Sequence, residues 1–234
     1  MNIVITGASK GMGKALAMKF AAPGNHIFIT ARNENELSNT ANELVEKSNN
    51  ASIKYFASDL SDKASSGKFS GWLIQQNIAP DILINNAGQF IPGSIYNEPE
   101  GSIEKMLAAN LYSAYYLTRA LLPFMMNKKS GHIFNMSSIA SLSAYKNGGS
   151  YSISKFALMG FSKNLREELK PYNIKVTTVY PGAVLTSSWE GSGIEPSRIM
   201  EVADVVEMIF AASKLSPQAC VEDIIMRPQL GDLP

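Results

Sequence analysis

Short apolar runs alternate along the chain with stretches whose apolar residues recur every three or four positions. Ile3-Val4-Ile5, Ile27-Phe28-Ile29, Ile53-Lys54-Tyr55-Phe56, Ile82-Leu83-Ile84 and the segments 132–136, 174–180 and 221–226 read as seven strands. Helical patterns fill the intervals. One follows Gly13 and reaches Ala22, where Pro23-Gly24 stops it. A second starts at Asn33, a capping residue type, and runs to Lys47. A short one spans 71–76, a long one runs from about 98 to 126, one covers 150–170 with Pro171 just past its end, and the last runs from 196 to about 212. Strand followed by helix at this pitch predicts a doubly wound parallel β-sheet with helices on both faces, a three-layer α/β arrangement in one domain over 1–234. In such sheets ligands bind beyond the carboxyl ends of the strands, so functional residues are expected just after each strand.

The long helix carries two patterned faces. Ile103, Leu107, Asn110, Ala114, Leu117 and Leu121 share one, and Tyr112, Tyr115, Tyr116 and Arg119 share the other. A helix apolar or aromatic on two sides is expected to be buried on two sides, here against the sheet and against a partner subunit.

Composition narrows the function classes. Of 234 residues, 45% are hydrophobic and 18% charged, enough apolar material for a large core and less charge than usual, which fits a homo-oligomer. Lys plus Arg number 21 against 20 Asp plus Glu, a net charge of +1, which argues against nucleic-acid binding. No apolar run reaches the ~18 residues of a membrane span, because Arg119 and Pro123 interrupt the longest candidate. The single cysteine, Cys220, forms no internal disulfide, and the N-terminal Met1-Asn2-Ile3-Val4 has no basic and apolar signal pattern, so a cytoplasmic protein is expected. The two histidines, His26 and His132, lack ligand spacing, and no metal site is expected.

The most informative segment is Thr6-Gly7-Ala8-Ser9-Lys10-Gly11-Met12-Gly13, between the first strand and the first helix. Gly7 permits a tight turn, Gly11 lets a pyrophosphate approach bare backbone, and Gly13 lets helix and strand pack closely. The helix N-terminus supplies N–H donors for the anion. The spacing is Gly-x3-Gly-x-Gly, and no Walker-type Gly-Lys-Ser/Thr follows. This segment resembles the cofactor signature of the classical short-chain dehydrogenase/reductase family. The likeness continues in order through Asp59-Leu60, Asn85-Asn86-Ala87-Gly88, Asn110, Ser138, Tyr151-x-x-x-Lys155 and Pro181-Gly182. It implies a Rossmann-type fold, a nicotinamide cofactor and an oligomer built on the 98–126 and 150–170 helices.

The resemblance also distributes roles. The cofactor would be held by Gly7, Ser9, Lys10, Gly11, Met12 and Gly13, with Asp59 and Leu60 at the adenine and Asn85, Ala87 and Gly88 along the adenosine ribose. Val184 and Thr186 would lie at the nicotinamide end, after Pro181 and Gly182. Asn85 reads equally as a tie between strands, and Pro181-Gly182 as a strand terminator. Where NAD-using relatives carry an acidic residue after the second strand, this chain has Ala31 followed by Arg32, and Lys10 lies near the same ribose in relatives. Two cations and no carboxylate predict NADP(H), because a 2′-phosphate needs positive charge. Glu34 and Glu36 would oppose that phosphate if they pointed inward.

Among nine tyrosines only Tyr151 has a lysine four residues later, on the same helix face. A free phenol titrates near 10, too high for efficient work at neutral pH, and the Lys155 cation is expected to lower it. Tyr151 would then protonate a substrate oxygen, and Lys155 would also hold the nicotinamide ribose, as the family implies. Ser138, 13 residues before Tyr151, would hold the carbonyl oxygen. Strand alternation points Ser137 to the other face. The resemblance implies that Asn110 holds a water relaying protons to Lys155; read on its own, it is a helix-distorting core amide. The substrate is expected to be a small carbonyl or alcohol compound, walled by Gln89, Phe90, the segment 139–145 and a lid at 187–195 containing Trp189, Gly191 and Gly193. The pattern is close to bacterial 3-oxoacyl carrier-protein reductases, but 221–228 departs from their glycine-rich tail. The rivals are an NAD-dependent alcohol dehydrogenase and a non-catalytic dinucleotide-binding sensor.

Overall fold

A computed structural model describes residues 1–48, 50–186 and 193–233. Seven strands, β1 (Asn2–Thr6), β2 (His26–Thr30), β3 (Ser52–Tyr55), β4 (Ile82–Asn85), β5 (Gly131–Met136), β6 (Ile174–Pro181) and β7 (Asp223–Met226), form one sheet in the order β3-β2-β1-β4-β5-β6-β7. Every neighbouring pair is parallel. The order reverses between β1 and β4, and a crevice opens at that switch point.

Helices α1 (Gly11–Phe20), α2 (Glu34–Lys47) and α7 (Val202–Ser213) cover one face; α3 (Lys63–Gln75), α5 (Ser113–Lys128) and α6 (Gly149–Leu169) cover the other. The strand residues divide by parity. Ile3 and Ile5 pack with Leu16, Leu37 and Ile209 on the first face, and Val4 packs with Phe69, Leu73 and Leu117 on the second. A strand buried on both faces reads as a continuous apolar run, as Ile3-Val4-Ile5 does.

Four elements depart from the sequence reading. Helix α3 begins at Lys63, eight residues before the predicted 71, capped by Asp62 accepting from the Ser65 N–H. Its inner face includes Ser66 and Ser70 beside Phe69 and Leu73, so the apolar stripe is diluted. The long 98–126 helix starts only at Ser102 and is divided into α4 (Ser102–Leu107), a π turn (Ala108–Tyr112) and α5. The π turn adds a residue to the helix and shifts its phase. Upstream, Ser102 and Met106 are buried where Ile103 and Leu107 were expected. The segment 196–198 is a separate 3₁₀ turn before α7, and β7 begins at Asp223. No helix among the described residues is long and apolar enough to cross a membrane.

Candidate active site

A groove of about 490 Å³ lies over the carboxyl ends of β1, β2 and β4. Its floor is the loop from β1 to α1. Gly7 adopts φ +63, and a Cβ there would fall 2.9 Å from the Ala87 Cα; a Cβ on Gly13 would fall 2.2 Å from the Gly7 carbonyl oxygen. The loop therefore tolerates no side chain at either position. Ala8 N–H donates to the Thr30 carbonyl, and the Thr40 hydroxyl donates to the Ser9 carbonyl, pinning the loop to β2 and α2.

Helix α1 has no side-chain cap and no acid in its first turn, whereas α2 is capped by Asn33 and α3 by Asp62. Its first N–H groups are left to point into a groove floored by glycines, which suits a phosphate. Lys10 and Arg32 line the same groove, and both are exposed. A dinucleotide's pyrophosphate and ribose phosphate therefore fit the donors present.

Of the residues the sequence assigns to the cofactor, Gly7, Ser9, Lys10, Gly11, Met12, Gly13, Arg32, Asp59, Leu60, Ala87, Gly88 and Thr186 all line this groove. Asn85 does not. It is buried, and its amide donates to the Thr118 hydroxyl and to Asn135 Oδ1, tying β4 to α5 and β5. Pro181, Gly182, Val184, Tyr151 and Lys155 also lie off the groove wall. Gly182 N–H bonds the Met226 carbonyl beside β7, and Val184 is buried in a bridge to Met200. The expected lid falls mostly on 187–192, outside the described residues.

Sequence reasoning passed over Asn86. Its side chain donates to the Thr6 and Gly7 carbonyls, and the Thr6 hydroxyl accepts from the N–H groups of Asn86 and Ala87. These bonds set the glycine turn against the end of β4. Glu36 also lines the groove and accepts from the Ser9 hydroxyl at 3.2 Å, so one carboxylate does face the cationic end.

The side chains that the sequence assigns to the reaction converge beside Gly88 and Gln89. A Cβ on Gly88 would lie 2.9 Å from Asn110 Oδ1 and 3.6 Å from Lys155 Nζ. Lys155 Nζ donates to the Met136 carbonyl at 2.8 Å and stands 5.7 Å from the Tyr151 ring centre. The Ser138 hydroxyl lies near enough to the Tyr151 phenol to lower its value and accepts from the Ala140 N–H at 3.2 Å. Ser137 turns away, bonding Ser141 and the Lys155 carbonyl, as alternation predicts.

Asn110 sits in the π turn, 1% exposed. Its amide accepts from the Gln89 N–H and donates to the Gln89 carbonyl and the Ser154 hydroxyl, a strut between the β4 loop and α6. The helix distortion anticipated for this residue is therefore present, and its amide is committed to protein groups.

The electrostatics correct one expectation. Burial pushes the Tyr151 phenol above its ordinary value, and the nearby Ser138 hydroxyl only partly opposes this. Burial and Ser138 are the causes acting on the phenol, and burial also lowers the Lys155 ammonium to about 8. The protein alone thus keeps the Tyr151 phenol protonated at neutral pH.

The chain is 29% identical to the sepiapterin reductase of Chlorobaculum tepidum over 239 residues, spanning 99% of this chain and 97% of that protein. A metagenomic short-chain oxidoreductase in complex with NADP superposes with a TM-score of 0.82 at 28% identity, over 98% of this chain and 97% of the other. A short-chain dehydrogenase from Sphingobium yanoikuyae in complex with NADPH gives 0.83 at 27%, over 96% and 87%. The family model for short chain dehydrogenase matches residues 1–195, and its span takes in the glycine loop, the Asn86–Gly88 turn and the Ser138, Tyr151 and Lys155 cluster. The chain is a member of the short chain dehydrogenase family.

Proposed function

We propose that this protein reduces a small carbonyl compound to its alcohol with NADPH. The observation that carries the reading is the cluster of Tyr151, Ser138 and Lys155 beside Gly88, a residue that lines the glycine-floored groove. NADPH, when bound, supplies the hydride. The chain's own residues do the rest. Gly11, Met12 and Gly13 offer backbone N–H groups to the pyrophosphate, and Lys10 and Arg32 offer positive charge to the 2′-phosphate. Ser138 donates to the substrate oxygen and orients it. Tyr151 gives that oxygen a proton, and the raised value of its phenol keeps the proton available at neutral pH. Lys155, fixed by the Met136 carbonyl, holds an ammonium beside the phenolate that results.

The cofactor's phosphate charge is supported by the two cations and by the NADP and NADPH complexes of the two structural relatives. Glu36 gives the NAD-dependent alcohol dehydrogenase reading its one supporting observation, because a carboxylate there can accept from a ribose hydroxyl. We also read the protein as a cytoplasmic homo-oligomer. Exposed Tyr112, Ile153 and Phe156 on the π turn and α6 support a subunit contact there.

Replacement of Tyr151 by Phe tests the central reading. NADPH oxidation with a carbonyl panel is expected to fall by about 10²–10⁴-fold while NADPH binding, read by fluorescence, persists. Retained turnover would overturn the role of Tyr151, whereas NADPH binding with no turnover in the wild type would favour the non-catalytic sensor.

A further inference from the structure

Two aromatic rings stand beside Tyr151, and the proton transfer uses neither. Phe90 follows Gln89 on the loop after β4, and its ring meets that of Tyr151 at a centroid distance of 4.8 Å and an interplanar angle of 76°. Phe90 is nevertheless 50% exposed. Tyr145 comes from the loop before α6 and is 47% exposed. Its ring packs on the backbone at the start of that helix, where a Cβ on Gly148 would lie 3.1 Å from Tyr145 Cε1. It is also near enough to Tyr151 for the charge of one to act on the other; burial first, and Tyr151 second, push its phenol up to about 12. Tyr145 is therefore a neutral aromatic wall at any working pH.

Leaving two large rings half in water forgoes their burial energy, and exposed apolar surface beside reacting groups marks a ligand site. The geometry is specific. The Phe90 and Tyr151 rings, set at 76°, make a corner, and a flat ring that stacks on Phe90 presents its edge to Tyr151. Offset and edge-to-face contacts favour aromatic over saturated rings of the same area, because only aromatic rings carry the matching quadrupole.

We propose that Phe90, with Tyr145 as a second exposed ring beside Tyr151, forms an aryl subsite, so that the substrate is an aryl carbonyl compound whose flat ring stacks on Phe90 in the corner it makes with Tyr151 and whose oxygen meets Tyr151 and Ser138. This rests on the carbonyl-reduction reading above and names its substrate class. The chemistry is that reading's own: the carbonyl carbon gains hydride from NADPH, its oxygen gains the Tyr151 proton, and NADP⁺ and the alcohol leave. Phe90 acts as a specificity residue and moves no proton.

The test compares 1-phenylpropan-2-one with 1-cyclohexylpropan-2-one, which match in carbon skeleton and carry equally unconjugated carbonyls. Wild type with NADPH is expected to prefer the phenyl ketone in kcat/KM by roughly 3- to 10-fold, the range an aromatic pair contributes. In Phe90→Ala and in Phe90→Leu the ratio is expected to collapse toward one, with NADPH binding intact as the check on folding. The Leu variant keeps an apolar wall, so loss of the preference there assigns it to the aromatic face. A wild-type ratio near one, or a ratio that survives both substitutions, overturns the proposal. Binding of the two ketones is read separately by calorimetry with NADP⁺ present. Tighter binding of the phenyl ketone by the same factor, with neither ketone turned over, would overturn the reduction reading and support the aryl subsite; equal binding would overturn the subsite alone.

Discussion

The Glu98 carboxylate receives two hydrogen bonds from Ser150, one from its backbone N–H at 3.1 Å and one from its hydroxyl. Ser150 is the second residue of α6, the helix that presents Tyr151 and Lys155, and the Gly148 that precedes this helix offers no side-chain cap. Glu98 therefore caps the helix from a loop 52 residues away. The loop that carries Gln89 and Phe90 is tied to the same point, since Gly93 N–H bonds the Asn147 carbonyl. A Cβ on Gly149 would lie 2.4 Å from the Gly93 carbonyl oxygen. Glu98→Ala is expected to cost about 1–2 kcal/mol, the worth of a charged cap, and to lower the melting temperature by roughly 2–8 °C. Glu98→Gln keeps one acceptor without the charge and should fall between. An unchanged melting curve for the Ala variant would refute the capping role.

Reduction should depend on pH through Lys155. Burial lowers its ammonium to about 8, while Tyr151 stays protonated well above neutrality. Below pH 8 the ammonium is present to stabilise the developing phenolate; above it the charge is lost. We expect kcat/KM for reduction to be level from pH 6 to about 8 and to decline above, before Tyr151 itself titrates. Lys155→Met should abolish that step and lower turnover by about 10²-fold or more. A decline that persists in the Met variant would assign it to another group.

The parts legible in the sequence are those governed by local chemistry. Apolar runs mark strands buried on both faces, and Ile3-Val4-Ile5 and Ile82-Leu83-Ile84 fall inside β1 and β4. The glycine loop is legible because close backbone approach admits nothing larger at Gly7 and Gly13. What eluded the sequence depends on tertiary partners. Nothing local separates Asn85 from Asn86, yet one binds Thr118 and Asn135 in the core and the other sets the glycine turn. A distortion at Asn110 was legible as an alternative reading, but its phase shift was not, because Asn110 bonds across to Gln89 and Ser154, and a single helical period read through it misplaced the buried face upstream. The Glu98 cap is a long-range contact that no spacing rule reports.

The cofactor end holds opposing charges. Lys10 and Arg32 line the groove with Glu36, whose carboxylate accepts from Ser9. Arg32→Ala should raise the KM for NADPH by about 10-fold or more, the value of a hydrogen bond to a charged group, and leave that for NADH nearly unchanged. Glu36→Gln should act oppositely, lowering the NADPH KM by a few-fold, because an exposed like charge is worth about 1 kcal/mol or less in high dielectric. The ratio of the two KM values in each variant is the measurement. If Glu36→Gln weakens NADPH as Arg32→Ala does, Glu36 positions the loop through Ser9 rather than repelling phosphate.

His132 should set the acid limit of stability. It lies in β5, 5% exposed, with Nε2 2.7 Å from the Thr177 hydroxyl, which itself donates to the Val221 carbonyl and so accepts from the ring. Burial, and secondly the Lys175 charge, lower its value from 6.5 to about 3. The unfolded chain takes up this proton near pH 6.5 and the folded chain resists it until about pH 3. Folding stability is therefore complete above 6.5 and falls as pH drops through that window, by up to about 1.4 kcal/mol per pH unit. Glu43, Asp62 and Glu167, also held below their ordinary values, add losses only below about 4.5, so the interval from 6.5 to 4.5 belongs to His132 among these groups. Urea midpoints taken every half unit from pH 7.5 to 4.5 should decline in the wild type. His132→Gln, which keeps a donor to Thr177, should be less stable at pH 7.5 yet show a flatter profile. An equally steep decline in that variant would place the acid sensitivity elsewhere.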